Sequence, residues 1–396
     1  MTETTQFCYK IGIFFAGPLL LFFLGGLQPS LSAAAQSERF NPERSRGGEK
    51  GLEQLKIEAL KKKLRLPKGE ETDFPRTAPL FKSYDENRFE EVVDKVNALP
   101  EEERSAEVSL LLGNSLFFLG RKEKAVEAYQ QAYRLAKDPR EEAAAMANFG
   151  LVLSTKGGWK EAIRWMERAL EIDRETDNWL GQGVALSLLG AMYYQSGDTS
   201  RGAAAHIEAL EIAETVPIRW LEAGQLTLLG NLYYLDRALD IAREHHAKAL
   251  DIYRKLDDPL GEAASLTGLS VIHKDQSRFF QALTDQSAAL AIYQRLDDRV
   301  SQAKALLNLS LIYRDQGEME AAIESGEKAL RIQEVLGDLN GMAQTEGTIG
   351  TIYQKKGELA EAIRHLEKAK ALFKKAGASQ QIHAVELKIQ TLRDQM

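Results

Sequence analysis

From about residue 79 onward the apolar residues recur at intervals of three and four, the spacing of a helix with one buried face. The segments "AASLTGLSVIHKD" (263–275) and "FQALTDQSAALAIYQRL" (280–296) show it most clearly, and the whole pattern returns after 40 residues. Gly150, Gly190, Gly230, Ser270, Ser310 and Gly350 form one small-residue column at that period. Ala162, Gly202, Ala242, Ala282, Ala322 and Ala362 form a second, and Ala169, Ala209, Ala249, Ala289, Ala329 and Ala369 a third. Glycine is costly inside a helix, so a glycine column predicts helices that cross too closely for a side chain. Breaks such as "TKGG", "QSGD", "DQGE" and "KKGE" fall between the two helices, where a left-handed residue is needed. "YYLDRALD" has no glycine, which makes its turn the least predictable. One pair cannot bury both of its faces, so the pairs must stack into an all-α array.

Two acidic pairs, Asp257/Asp258 and Asp297/Asp298, sit at the same place in the period and resemble a cation or acid–base site. Their columns argue otherwise. The first reads Asp177, Pro217, Asp257, Asp297, Gly337, Gly377, and the second Asn178, Ile218, Asp258, Asp298, Asp338, Ala378. Glycine in the first marks a left-handed helix end, and Asn or Asp in the second is a good N-cap. A metal loop would not accept Gly, Pro and Ile as ligands. The pair is predicted to stop one helix and start the next.

The runs Leu189-Gly190, Tyr193, Ala209 and Leu229-Gly230, Tyr233, Ala242, Ala249 resemble the tetratricopeptide repeat over residues 80–378. The period is 40 rather than 34 and no proline ends the second helix, as in the long-helix variants of bacterial regulators and eukaryotic adaptors. The resemblance implies a right-handed α-solenoid of stacked antiparallel helix pairs, a superhelix whose concave groove is lined by the first helix of each pair. It places Phe117, Asn148, Tyr194, Tyr234, Lys274, Lys304, Asn308, Arg314, Gln354 and Lys355 in that groove. The groove is then aromatic toward its N-terminal half and mixed, slightly cationic, toward its C-terminal half. Lys304 and Asn308 match part of the clamp that some members close on a C-terminal carboxylate. Thr227 and Gly268 stand where its other members belong, so no chaperone-tail receptor is predicted. The large residue expected midway in the second helix is present as Tyr129, Met166 and Leu366. His206, His246, Gln286 and Gly326 replace it elsewhere, which predicts looser packing in the middle repeats.

Domain limits follow. Residues 79–100 are a divergent half-copy, 103–139 a shorter repeat, about 140–378 the 40-residue repeats, and 379–396 a capping helix. The cap carries Ile382, Val385, Ile389 and Leu392 as one apolar stripe, with Gln381, Lys388, Gln390 and Arg393 directed elsewhere. Residues 1–35 are of another kind. Ile11–Leu27 is an apolar run after Lys10, followed by Ala33 and Ala35 in a small-x-small pattern before Gln36. That reads as a signal peptide cleaved after Ala35, for the periplasm or the medium. An uncleaved membrane anchor is the alternative. Residues 36–78 are a charged linker containing the basic segment Leu52–Leu66, a solvated spacer or a surface for anionic lipid.

Composition narrows the function. A formal net charge of −7 over 396 residues argues against a nucleic-acid binder. The single cysteine, Cys8, excludes a disulfide framework and a thiolate metal cage. Adjacent His245 and His246 point about 100° apart on a helix and cannot share one metal. No phosphate loop, nucleophile elbow or His-x-x-x-His helix is present, so no catalytic, cofactor or metal site is expected. The expectation is a non-enzymatic, exported scaffold that takes a peptide or helix of a partner protein. The alternatives are a peptide-sensing regulator and a membrane-tethered assembly factor.

Overall fold

The computed structural model describes residues 78–396, preceded by Gln54, Glu58, Lys61 and Lys62. The N-terminal residues 1–35, expected to be a signal peptide or anchor, and most of residues 36–77 lie outside the described residues. Every regular element among the described residues is helical, and none is long and apolar enough to cross a membrane. The first compact unit ends at Leu229. It contains α1 (Ala78–Asp85), α2 (Phe89–Ala98), α3 (Ala106–Phe118), α4 (Lys122–Leu135), α5 (Pro139–Ser154), α6 (Trp159–Glu175), α7 (Trp179–Gln195) and α8 (Thr199–Thr215). Helix α9 (Arg219–Leu235) carries the boundary. The second unit, Gly230–Met396, contains α10 (Leu239–Lys255), α11 (Pro259–Asp275), α12 (Phe279–Arg295), α13 (Arg299–Gln316), α14 (Met319–Leu336), α15 (Leu339–Lys356), α16 (Leu359–Lys375) and α17 (Ser379–Arg393). Odd-numbered helices are the first members of the pairs and even-numbered helices the second. Within each unit a helix packs on the next one in the chain, giving a stack of antiparallel pairs.

The small columns meet where the two helices of a pair cross. A Cβ on Gly150 would lie 3.0 Å from the Ala162 carbonyl oxygen, and one on Gly350 would lie 3.1 Å from that of Ala362. Where serine replaces glycine, its hydroxyl donates to the same carbonyl: Ser270 to Ala282 at 2.9 Å and Ser310 to Ala322 at 2.7 Å. The crossing is backbone against backbone, and the column admits only residues that tolerate or exploit it.

The middle repeats are not loose, which corrects the expectation from the second-helix column. Met166, His206, His246, Gln286 and Leu366 are all buried. The imidazoles fit because the facing first helices lack a side chain there. A Cβ on Gly190 would come within 2.6 Å of the His206 ring, and one on Gly268 within 2.4 Å of the His246 ring. His206 Nδ1 pairs with Gln225 at 2.8 Å, and Gln225 in turn donates to Ser187 at 2.8 Å. His246 Nδ1 has no partner. Gly326 leaves its slot to Ile349, whose side chain would be 3.0 Å from a Cβ at that position.

The acidic pairs are stop and start signals, as the columns predict. Asp177, Asp257 and Asp297 have φ of 50°, 48° and 52°, the left-handed region that Gly337 and Gly377 occupy at the equivalent turns. Asn178, Asp258, Asp298 and Asp338 each accept the backbone N–H three residues on, at 3.2, 3.0, 3.3 and 2.9 Å. Asn87, with φ 61°, Arg237, with φ 62°, and Ser277, with φ 58°, take the left-handed position in the three turns inside pairs that lack glycine.

Two outcomes follow from this packing. Asp298→Ala removes a cap and lowers unfolding free energy by about 1 kcal/mol in urea titration, with the helical far-UV signal retained. Burial holds the His246 imidazole down to about 4. The unfolded chain therefore takes up a proton below about pH 6.5 that the folded chain refuses. Stability falls from there to about pH 4, by up to about 3 kcal/mol, and His246→Leu removes that part of the slope in melts followed against pH.

Candidate functional site

Successive odd helices touch one another directly, α1–α3, α3–α5 and α5–α7 in the first unit and α11–α13 and α13–α15 in the second. Their side chains therefore share one face of each unit, the inner side of the stack. In the second unit that face holds a continuous polar row. The Tyr234 hydroxyl donates to Asp275 Oδ2 at 2.8 Å, and Arg237 reaches the same oxygen at 3.2 Å. Lys274 lies 2.7 Å from Asp275 Oδ1 and 3.8 Å from Asp315. Asp315 also receives Arg314 at 2.8 Å and Lys355 at 3.5 Å. Burial and then the Asp275 charge push the Tyr234 phenol well above its ordinary value, so it remains a neutral donor. Lys274 and Asp275 side chains are each 16% exposed, which places this part of the row in a partly desolvated setting where its bonds are stronger than in water.

Of the other predicted residues in this unit, Lys304 is exposed, Gln354 is half-buried, and half-buried Asn308 donates to Gln286 at 3.5 Å. Lys304 and Asn308 thus stand on the same helix, but no second half of a carboxylate clamp is built around them from Gly268.

The first unit corrects two predicted groove residues. Phe117 is buried and packs edge-on against Phe118 at 6.4 Å, while Phe118 stacks on Phe89 at 4.5 Å. Asn148 is 1% exposed and belongs to an internal network. Its Nδ2 donates to Asn114 Oδ1 at 3.0 Å, Tyr129 donates to that same oxygen at 2.8 Å, and Asn114 Nδ2 reaches the Tyr84 hydroxyl at 3.4 Å. Neither residue is available to a partner. Tyr194, on the odd helix α7, is half-buried.

Most of the basic segment Leu52–Leu66 lies outside the described residues, but two of its lysines are placed. Lys61 donates to the Tyr84 backbone carbonyl near the end of α1, and its ammonium lies 4.4 Å from the centre of the Tyr84 ring. Burial holds that ammonium below the ordinary lysine value. Lys62 lies 5.9 Å from the Trp220 ring. These lysines turn onto the first unit rather than away from it.

Sequence reasoning missed three features. Arg237 joins the row from a turn, which no helical periodicity reaches. A cleft of about 240 Å³ between α4, α5 and α6 is lined by Tyr133, Met146, Phe149 and Trp165, with Trp165 edge-on to Phe149 at 5.1 Å. Lys388 of α17 is half-buried rather than solvated. No group of three His, Cys, Asp or Glu side chains suited to a metal ion occurs among the described residues.

A comparison with curated protein sequences finds no match. Solved structures do resemble the chain. The apo form of the quorum sensor NprR from B. thuringiensis is 16% identical with a TM-score of 0.59, covering 75% of this chain and 86% of that one. A Rap protein complexed with Competence and Sporulation Factor is 14% identical with a TM-score of 0.52, covering 81% of this chain and 98% of that one. Aspartyl phosphate phosphatase F from Bacillus subtilis is 14% identical with a TM-score of 0.50, covering 83% and 96%. At these identities the likeness is one of fold. Family models described as tetratricopeptide repeat match residues 106–139, 141–215, 223–256, 261–335 and 347–376, together more than half of the sequence. With the glycine-centred crossings and stacked pairs described above, the chain belongs to the tetratricopeptide repeat family.

Proposed function

We propose that the chain is a non-enzymatic interaction scaffold that holds a peptide or a helix of a partner protein against the inner face of its odd-numbered helices. The observation that carries this reading is the polar row from Tyr234 through Asp275, Lys274 and Asp315 to Arg314 and Lys355. Aromatic and arginine side chains held in place by neighbours present binding groups whose ordering cost is met in folding. Their mutual pairing sets the orientation of a bound segment more than its affinity. The fold shared with a Rap protein complexed with Competence and Sporulation Factor, and with the quorum sensor NprR, favours a second reading in which the bound segment is a signalling peptide and the chain a regulator. The name of the phosphatase belongs to that protein, since fold at such identity does not carry activity.

Location separates the exported scaffold from a membrane-tethered assembly factor. In the scaffold reading Ile11–Leu27 directs export and the mature chain starts at Gln36. A tethered assembly factor retains the run as an anchor.

A photo-crosslinking residue at Gln354 captures a partner in cell extract, whereas the same residue at Lys328, on an even-numbered helix, does not. Tyr194→Ala/Tyr234→Ala reduces that capture about ten-fold while the melting curve stays cooperative. Undiminished capture by the folded double variant overturns the inner-face reading. The mass of the purified chain then separates the locations: a start at Gln36 outside the cytoplasm supports export, and an intact N-terminus in the membrane fraction supports the tether.

A further inference from the structure

At one junction of the first unit, aromatic residues interrupt the repeat. The position of Trp165 on α6 is filled at later periods by Ala205, His245, Asp285, Ser325 and His365. That of Phe149 on α5 is filled by Leu189, Leu229, Leu269, Leu309 and Ile349. Tyr133, in the last turn of α4, aligns with Leu170 and with leucine at each 40-residue step to Leu330. Trp165 stands edge-on to Phe149 at 5.1 Å and to Tyr133 at 6.0 Å, so three rings meet where the other copies place leucine beside a small or polar residue.

The cleft of about 240 Å³ opens among these rings. Ala145, Met146 and Phe149 of α5 are buried and form its floor, while exposed Gln130 and Arg134 stand at its rim. It lies between the even helices α4 and α6, away from the face along which the odd helices meet. Filling the core does not account for it: Tyr133 is 41% exposed and Trp165 only half-buried. Ligand pockets commonly start at about 300 Å³, so this cleft takes a single ring with a short substituent. Water there finds few polar partners, whereas a ring meets the edges and faces of three others. Charge decides the substituent. Aromatic surroundings alone would suit a quaternary ammonium, but no carboxylate lines the cleft and its one charged residue is Arg134. Arg134 makes no ion pair among the described residues, and a guanidinium in that condition favours a carboxylate.

We propose that this cleft binds a small aromatic carboxylic acid, with the ring among Tyr133, Phe149 and Trp165 and the carboxylate on Arg134. The site is separate from the inner face, so it goes beyond the docking function: the chain takes a small-molecule ligand as well as a partner segment. Tyr129 contributes only its ring, because its hydroxyl already donates to Asn114.

Phenylacetate is the probe, titrated at constant ionic strength into the full chain with 5-fluorotryptophan at its four tryptophans. The Trp165 fluorine signal is assigned by its loss in Trp165→Phe. A saturable shift of that signal is expected, and its absence overturns the proposal. Phenylacetamide binds about five-fold more weakly, and Arg134→Gln brings acid and amide to the same affinity. Equal binding of the two by the wild type, or tighter binding of phenethylammonium, overturns the carboxylate assignment. Tyr133→Ala weakens phenylacetate binding while melting stays cooperative, and unchanged binding by that folded variant overturns the placement of the ring. Two other occupants are separated by the same signal. A shift that follows protein concentration rather than phenylacetate gives the cleft to a second copy. A shift produced by acetyl-Gly-Gly-Phe with a free C-terminus, but not by phenylacetate, gives it to a peptide end. Either result overturns the small-acid site and leaves the inner-face reading to its own crosslinking test.

Discussion

The helix pairs are spaced by backbone rather than by side chains. At the crossing of a first and a second helix, the position occupied by Gly150 or Gly350 faces a carbonyl so closely that a Cβ would come within about 3 Å of it. Ser270 and Ser310 satisfy the same carbonyl with a hydroxyl, so the contact survives substitution by becoming a hydrogen bond. Because this spacing recurs every 40 residues, each pair is nearly the same rigid body. Within each unit, such a stack brings equivalent side chains of the odd helices onto one face.

The same close crossing sets the terms for the core beside it. A flat imidazole can occupy a slot meant for methionine or leucine only where the neighbouring helix offers glycine, and Gly190, Gly230 and Gly268 do so around His206 and His246. The two histidines then differ in kind. His206 is tied through Gln225 to Ser187, whereas His246 Nδ1 is buried and unpartnered. An unmade bond of that sort costs about 1–3 kcal/mol, so the second unit keeps its ring there at the expense of stability that a leucine would not forfeit.

How much of this could be read from the sequence depends on whether a feature repeats. The pairs, the crossings and the acidic caps recur in register, and columns of small residues or of Asp and Gly have few physical explanations. Phe117 and Phe118 do not have that help. They belong to a copy spaced 37 residues from its successor, beside the divergent Tyr84 and Phe89, and periodicity alone cannot say which of two adjacent aromatics turns inward. Asn148 was legible as a first-helix polar residue, but its fate depends on Asn114 and Tyr129, whose three-way bond makes burial affordable. The packing of His206 and His246 was misjudged because residue size was weighed in one helix without the glycines opposite. Lys388 was read on the solvated side of a cap, since the last helix has no following copy to show which columns it continues.

The inner face of the second unit shows why charge on a scaffold is not the same as charge on a surface. Isolated exposed pairs contribute little, because water competes for both partners and the side chains lose freedom in meeting. Here the helices carry the ordering cost already, and adjacent residues such as Lys274 and Asp275 or Arg314 and Asp315 are locked by their own neighbours in the row. Each carboxylate of the row gathers two close cations, Arg237 and Lys274 at Asp275 and Arg314 and Lys355 at Asp315. At Asp275 an incoming group has to break existing bonds, which favours a neutral contact with Tyr234. At Asp315 the same holds for Arg314 and Lys355, whose orientation the helices and the shared carboxylate have already set.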